Sequence, residues 1–161
     1  MKMTLLFVSI LSLGIPGCFK ISEKVPPLKA RFFLENRLPT PLQKTVSQTL
    51  EVSKINIITD SQALILETDL INVELVKVEL GLCLLFQIDR SLVNLLYTKS
   101  INEKGSRIVF VYNERTIGST ILSNPIADGK LYMFLEISDR ELPEIVTDLK
   151  DFISLKNKSN S

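Results

Sequence analysis

The chain has 161 residues, 45% hydrophobic and 23% charged, with 19 basic against 18 acidic side chains. That length and apolar content support one compact core and exclude disorder as the default state, while the near-zero charge offers no field to draw nucleic acid or an anionic surface. No histidine occurs anywhere, which removes Ser-His and Cys-His nucleophile pairs, imidazole proton shuttles and most zinc sites.

Residues 1–17 have the layout of a secretory signal. Lys2 gives a positive start, the apolar run over 4–13 is broken only by Ser9 and Ser12, and Gly14 leads to Ile15-Pro16-Gly17-Cys18. Those last four residues resemble a lipobox, which implies cleavage after residue 17, a diacylglycerol thioether on Cys18 and an acyl chain on the new amino terminus. Pro16 departs from the small or polar residue usual there. An ordinary cleaved signal and an uncleaved anchor are the other readings. The anchor is short, because a spanning helix needs about 20 apolar residues and Pro16 and Lys20 stop this one. At about 0.8 kcal/mol per buried CH₂, two or three acyl chains hold a protein at a bilayer where one binds reversibly. The expected location is therefore the cell envelope, lipid-anchored and facing the periplasm. Loss of the leader removes only Lys2 among the charges and leaves 18 basic against 18 acidic residues. A lipidated Cys18 leaves Cys83 without a disulfide partner, and its setting in Leu82-Cys83-Leu84-Leu85-Phe86 predicts a buried, inert thiol.

Residues 18–28, with Pro26-Pro27, form a stiffened tether, and 29–155 form the single folded domain. Residues 29–36 predict a strand with Phe32 and Leu34 on one face and Arg31, Phe33 and Glu35 on the other; Pro39 and Pro41 end it. Residues 46–52 and 55–58 are β-rich, and Ser53-Lys54 between them makes a hairpin. A single helical turn around Thr68-Asp69 leads into a strand over 72–79, where Val73, Leu75 and Val78 alternate with Glu74, Lys77 and Glu79. The charged trio is a solvated face, with a binding face as the weaker reading. Gly81 allows the turn into an apolar strand over 82–88, expected to be central and covered on both faces.

Asp89 is placed to cap a helix whose Leu92, Val93, Leu96, Tyr97 and Ile101 fall at helical spacing, with Gly105 as terminator. Residues 107–112 and 116–122 are strands joined at Asn113-Glu114, and the Asp128-Gly129 turn precedes a strand over 131–137. Ser138 and Glu141 have capping-box spacing, and Leu142, Ile145, Val146, Leu149, Phe152 and Ile153 give the last helix an apolar stripe. Pro143 removes one early backbone bond, which places the regular start there. Residues 156–161 are a polar tail, expected to fray. The resulting class is α+β, a mainly antiparallel sheet with two amphipathic helices packed on one face.

The stretch from Arg31-Phe32-Phe33-Leu34-Glu35 to the last helix resembles the head of the first periplasmic domain of SecD, an accessory subunit of the Sec translocase. The resemblance rests on Glu67-Thr68-Asp69-Leu70-Ile71-Asn72-Val73-Glu74-Leu75, on Leu84-Leu85-Phe86-Gln87-Ile88-Asp89 before a helix, on Gly105 with 108–114, and on Ile126-Ala127-Asp128-Gly129. Asn113-Glu114 stands where that family usually has Asp-Gly, and Ser119-Thr120 where it has Ala-Pro. It implies a domain that holds or guides an exported chain, without the multi-span part that couples protons.

The residues themselves assign no catalytic, metal or cofactor site. Asp128 is the best single carboxylate for an enzyme, yet Asp-Gly is an ordinary turn pair. The expected function is a membrane-anchored envelope lipoprotein acting as a non-catalytic protein-interaction module, accessory to Sec-type export. Its partners would be other envelope or translocase proteins, or extended polypeptide taken up at sheet edges. The alternative is a structural subunit of an envelope complex unrelated to export.

Overall fold

The structure, a computed structural model, describes residues 28–159. Cys18, the signal over 1–17 and the tether up to residue 27 lie outside the described residues. The elements in chain order are β1 (Ala30–Leu34), β2 (Thr45–Thr49), β3 (Asn56–Asp60), β4 (Ile65–Leu66), a 3₁₀ turn (Glu67–Asp69), β5 (Leu70–Val78), β6 (Gly81–Ile88), α1 (Arg90–Asn102), β7 (Arg107–Tyr112), β8 (Arg115–Ile121), β9 (Lys130–Met133) and α2 (Leu142–Ser159).

The class is α+β with antiparallel pairing, as the alternating runs and turn residues predict. The one sheet expected is instead three: β4-β1-β7-β8, β5-β6-β9 and the hairpin β2-β3. The two larger sheets face each other. Phe32 of β1 and Phe110 of β7 are register partners, and both rings meet Phe86 of β6, at 4.9 and 5.1 Å between centroids. Leu96 of α1 and Leu142, Ile145, Leu149 and Ile153 of α2 join the same buried cluster. The two sheets are stitched where Gly118 of β8 bridges Leu135 and where the Glu136 N–H donates to the Ile117 carbonyl at 2.6 Å. A Cβ on Gly118 would lie 2.5 Å from Leu135 Cδ2 and 3.2 Å from the Phe134 carbonyl oxygen, so a side chain there would force Leu135 to move.

The reverse face of the four-stranded sheet is covered by the β2-β3 hairpin, whose Leu50 and Ile57 bury against Val109. Sequence periodicity could not show this, because the stretch over 46–58 lies far from residue 109 in the chain. The hairpin turn is wider than the Ser53-Lys54 pair expected, with β2 ending at Thr49 and Lys54 at φ 59°.

Strand β6 is central between β5 and β9, but among the described residues only its inner face is covered by another layer. Cys83 and Leu85 on the outer face are buried by their strand neighbours, while Tyr132 and Phe134 beside them stay 49% and 42% exposed. Burial pushes the Cys83 thiol above its ordinary pKa. In α1 the buried stripe runs through Leu92, Leu96 and Ser100, so Tyr97 and Ile101, expected inside, are half-exposed. Ser100 sits on that stripe with both bonds of its hydroxyl made, donating to the Tyr97 carbonyl at 2.7 Å and accepting from the Ile126 N–H at 2.9 Å. Strand β9 ends at Met133, short of the expected 137. The tail expected to fray from residue 156 is helical through Ser159, with Lys156 Nζ donating to the Thr68 and Leu70 carbonyls.

Candidate functional site

Strand β2 pairs with β3 and with no other strand among the described residues. The direction of its backbone groups follows from the bonds at its two ends. Leu50 N–H donates to the Ile55 carbonyl at 3.0 Å, and Ser61 N–H to the Lys44 carbonyl at 2.9 Å. Antiparallel ladders alternate hydrogen-bonded and non-bonded pairs, so positions 44, 46, 48 and 50 point toward β3 and Thr45, Ser47 and Thr49 point away. The Asn36 N–H donates to the Ile58 carbonyl at 2.8 Å on the far side of β3, which the same parity requires. The free edge therefore offers the N–H and C=O of Thr45, Ser47 and Thr49.

Edges of this kind are commonly blunted by lysine, proline or a bulge. Thr45-Val46-Ser47-Gln48-Thr49 contains neither residue type, and its five-residue ladder with β3 has no register shift. All three outward residues are exposed.

The hairpin is held firmly to the body. Thr116 Oγ1 donates to Gln48 Oε1 at 2.8 Å, and Ser53 N–H to Glu136 Oε2 at 2.8 Å. Arg115 grips Glu51 with two bonds, of 2.8 and 2.7 Å. That fork holds the Glu51 carboxyl below its usual pKa and the guanidinium above its own.

A second polar arrangement fixes the start of the domain. Glu67 is 1% exposed, and its Oε2 accepts from the Lys29 and Ala30 backbone N–H groups at 2.6 and 3.3 Å. Beside it, Asp148 of α2 accepts from Lys29 Nζ at 2.8 Å and from the Tyr112 hydroxyl at 2.7 Å. These bonds lower the Asp148 pKa. Burial first, and then the bond to Asp148, raise that of Tyr112. The cluster ties the first described residues to β7, the 3₁₀ turn and the last helix.

The residues singled out from the sequence are not brought together. Asp89 Oδ1 caps α1 by accepting from Ser91 N–H at 2.9 Å. Asp128 Oδ1 accepts from Lys130 N–H within its own turn. Glu141 accepts from Ser138 N–H, one half of the expected capping box, while Ser138 Oγ takes the Arg140 N–H. Glu74, Lys77 and Glu79 are exposed, and Glu74 accepts from Asn72. Cys18, the lipid-attachment residue, lies outside the described residues.

A cleft of about 610 Å³ lies between the loop after β1 and the end of α1 and carries charges of both signs, including Arg37, Lys99 and Glu103. Two of its carboxylates already have partners, Glu35 with Arg107 and Asp60 with Asn36. Among the described residues no group of three or more Cys, Asp or Glu side chains is arranged to hold a metal ion.

The β2 edge and the Glu67 cluster were not predicted from sequence. An uncharged six-residue run flanked by Lys44 and Glu51 was the available signal for the first. Glu67 carried no local signal at all. No family model, curated protein or solved structure matches the chain.

Proposed function

We propose that the chain is a membrane-anchored envelope lipoprotein that works as a non-catalytic interaction module and receives extended polypeptide at the free edge of β2, in a setting accessory to Sec-type export. The carrying observation is the unblocked row of outward backbone groups at Thr45, Ser47 and Thr49 on a hairpin fixed to the body by Arg115-Glu51 and Thr116-Gln48. Strand addition uses such a row: main-chain bonds supply affinity regardless of the client's sequence, and neighbouring side chains add preference. Val46 and Ile58, each nearly half-exposed beside the edge, supply apolar contact for it. The lipobox at Ile15-Pro16-Gly17-Cys18 motivates the anchor, which would keep the edge at high local concentration near emerging chains. The resemblance to the SecD head motivates the export setting.

Ser47→Pro tests the edge. Its outward N–H takes no part in pairing with β3, and proline is tolerated on an edge strand with that side free. Photocrosslinkers at Thr45 or Thr49 should capture exported polypeptides in cells, and Ser47→Pro should abolish that capture while thermal stability is kept. Capture unchanged by Ser47→Pro refutes binding through the edge, and failure to capture exported chains or translocase proteins removes the export setting.

The alternative, a structural subunit of an envelope complex, draws on the outer face of β5-β6-β9. There Val78, Leu80, Cys83, Tyr132 and Phe134 line a shallow apolar groove of about 370 Å³. Recovery of one stoichiometric partner, lost on Tyr132→Lys and retained by Ser47→Pro, would favour it.

A further inference from the structure

The cleft between the loop after β1 and the end of α1 has two fixed walls. On one side Asn36 Nδ2 donates to Asp60 Oδ1 at 2.8 Å and to Gln43 Oε1 at 3.2 Å, and the Thr40 N–H donates to that same Gln43 oxygen at 3.1 Å. On the other side the turn after α1 is pinned by three backbone bonds. Gly105 N–H donates to the Leu122 carbonyl at 2.9 Å, Ser106 N–H to the Glu103 carbonyl at 2.9 Å and Leu122 N–H to the Ser106 carbonyl at 2.8 Å. Both backbone groups of Ser106 are thus committed. Its hydroxyl is not: it has no hydrogen-bond partner among the described residues, although the residue is 2% exposed. Among the described residues Arg31 Nε is the one sealed side-chain atom that lacks a partner, so the Ser106 oxygen is open, and it opens on the cleft that the residue lines.

Burying a hydroxyl without a partner is costly, and cations stand around this one. Arg37 Nη1 lies 3.2 Å from the point a Cβ on Gly105 would occupy, so the guanidinium crosses the cleft and rests over the turn beside Ser106. Lys99 and Lys104 line the same wall, and none of these three cations has an ion pair among the described residues. Of the carboxylates, Glu35 is taken by Arg107 and Asp60 by Asn36, which leaves Glu103 uncommitted. With Arg107 counted, four cations face three carboxylates. We infer that this cleft is a binding site for a polar molecule carrying one oxyanion, a carboxylate or a phosphate. The planar fork of Arg37 matches two oxygens of either group, the Ser106 hydroxyl donates to it, and Lys99 and Lys104 supply charge. Glu103 accepts from donors on the rest of the molecule. The volume of about 610 Å³ falls within the range of about 300–1,000 Å³ usual for small-molecule sites. The site is separate from the edge of β2 and from its clients.

Titration of the purified full chain at constant ionic strength, followed through the NMR amide signals of Arg37, Gly105 and Ser106, tests the site. The probes are glycerol 1-phosphate against glycerol, and triglycine against triglycine amide. At least one oxyanion-bearing probe should shift these signals saturably, and its counterpart without the oxyanion should not. A response to glycerol 1-phosphate alone assigns a phosphoryl ligand, and one to triglycine alone a carboxylate. Ser106→Ala should weaken binding by about tenfold, the worth of one hydrogen bond to a charged group, and Arg37→Gln by at least as much. Because the Ser106 hydroxyl makes no bond within the fold, Ser106→Ala should leave the thermal midpoint unchanged.

No saturable response to either oxyanion-bearing probe overturns the site. So does an equal response to the counterparts, or binding that Arg37→Gln and Ser106→Ala leave intact. A lowered midpoint for Ser106→Ala would mean that the hydroxyl is bonded within the fold, which also overturns it.

Discussion

Replacing Glu67 by alanine tests whether a buried carboxylate organises the beginning of the domain. Its Oε2 is the acceptor for the Lys29 and Ala30 N–H groups, and Ala30 is fully buried. Each buried donor left without an acceptor costs about 1–3 kcal/mol. Ala30 belongs high in that range and the half-buried Lys29 low, which gives a loss of about 2–4 kcal/mol for Glu67→Ala. Glu67→Gln keeps an oxygen in place to accept from both N–H groups, so its loss should stay below about 1.5 kcal/mol. For a domain of this size the alanine variant should melt roughly 10 °C lower. Urea unfolding measures the loss, and hydrogen exchange localises it: the Lys29 and Ala30 amides should lose protection in the alanine variant and retain most of it in the glutamine variant. A loss under about 1 kcal/mol, or amides equally protected in all three proteins, would refute the reasoning.

At the seam between the large sheets, Gly118→Ala should destabilise by about 1–3 kcal/mol in urea unfolding, because the added methyl meets Leu135, Met133 and the Phe134 carbonyl. Asn113 and Glu114 both have positive φ, 48° and 63°, the requirement of a type I′ hairpin turn. Glu114→Gly should therefore raise the thermal midpoint by an amount worth about 0.5–1 kcal/mol, despite losing an exposed ion pair to Arg31. Asp148 has a depressed pKa from Lys29 and Tyr112, so its contribution is complete above the unfolded carboxylate value near 3.9 and is lost as pH falls through the lower folded value. Asp148→Asn should shrink the stability difference between pH 7 and pH 3, by no more than about 1 kcal/mol since both partners of the ion pair are more than a third exposed. Unfolding curves at the two pH values check it.

Local features were legible and nonlocal ones were not. The run from β5 to β8 follows from alternation, from Asp89 as a cap, from Gly105 at φ 89° and from the Asn113-Glu114 turn. Each of these is decided by neighbours within a few residues. The grouping of strands into sheets was hidden, because β1 takes its partners from β4 and β7, far along the chain. The inward face of α1 differs from the expected one in including Ser100, a polar residue with both hydroxyl bonds made, which hydrophobic spacing does not register. At the candidate site, the β-rich character of 46–52 was visible. That its outer edge has no strand partner among the described residues is a property of the assembled sheets, and so is the burial of Glu67 beneath the start of β1.

The chain comes into its described part at β1, which lies inside the four-stranded sheet, with β4 on one side and β7 on the other. Tension applied through residue 28 along the strand would act at right angles to the bonds that hold β1 to β7, straining the whole five-residue register in shear instead of peeling it pair by pair.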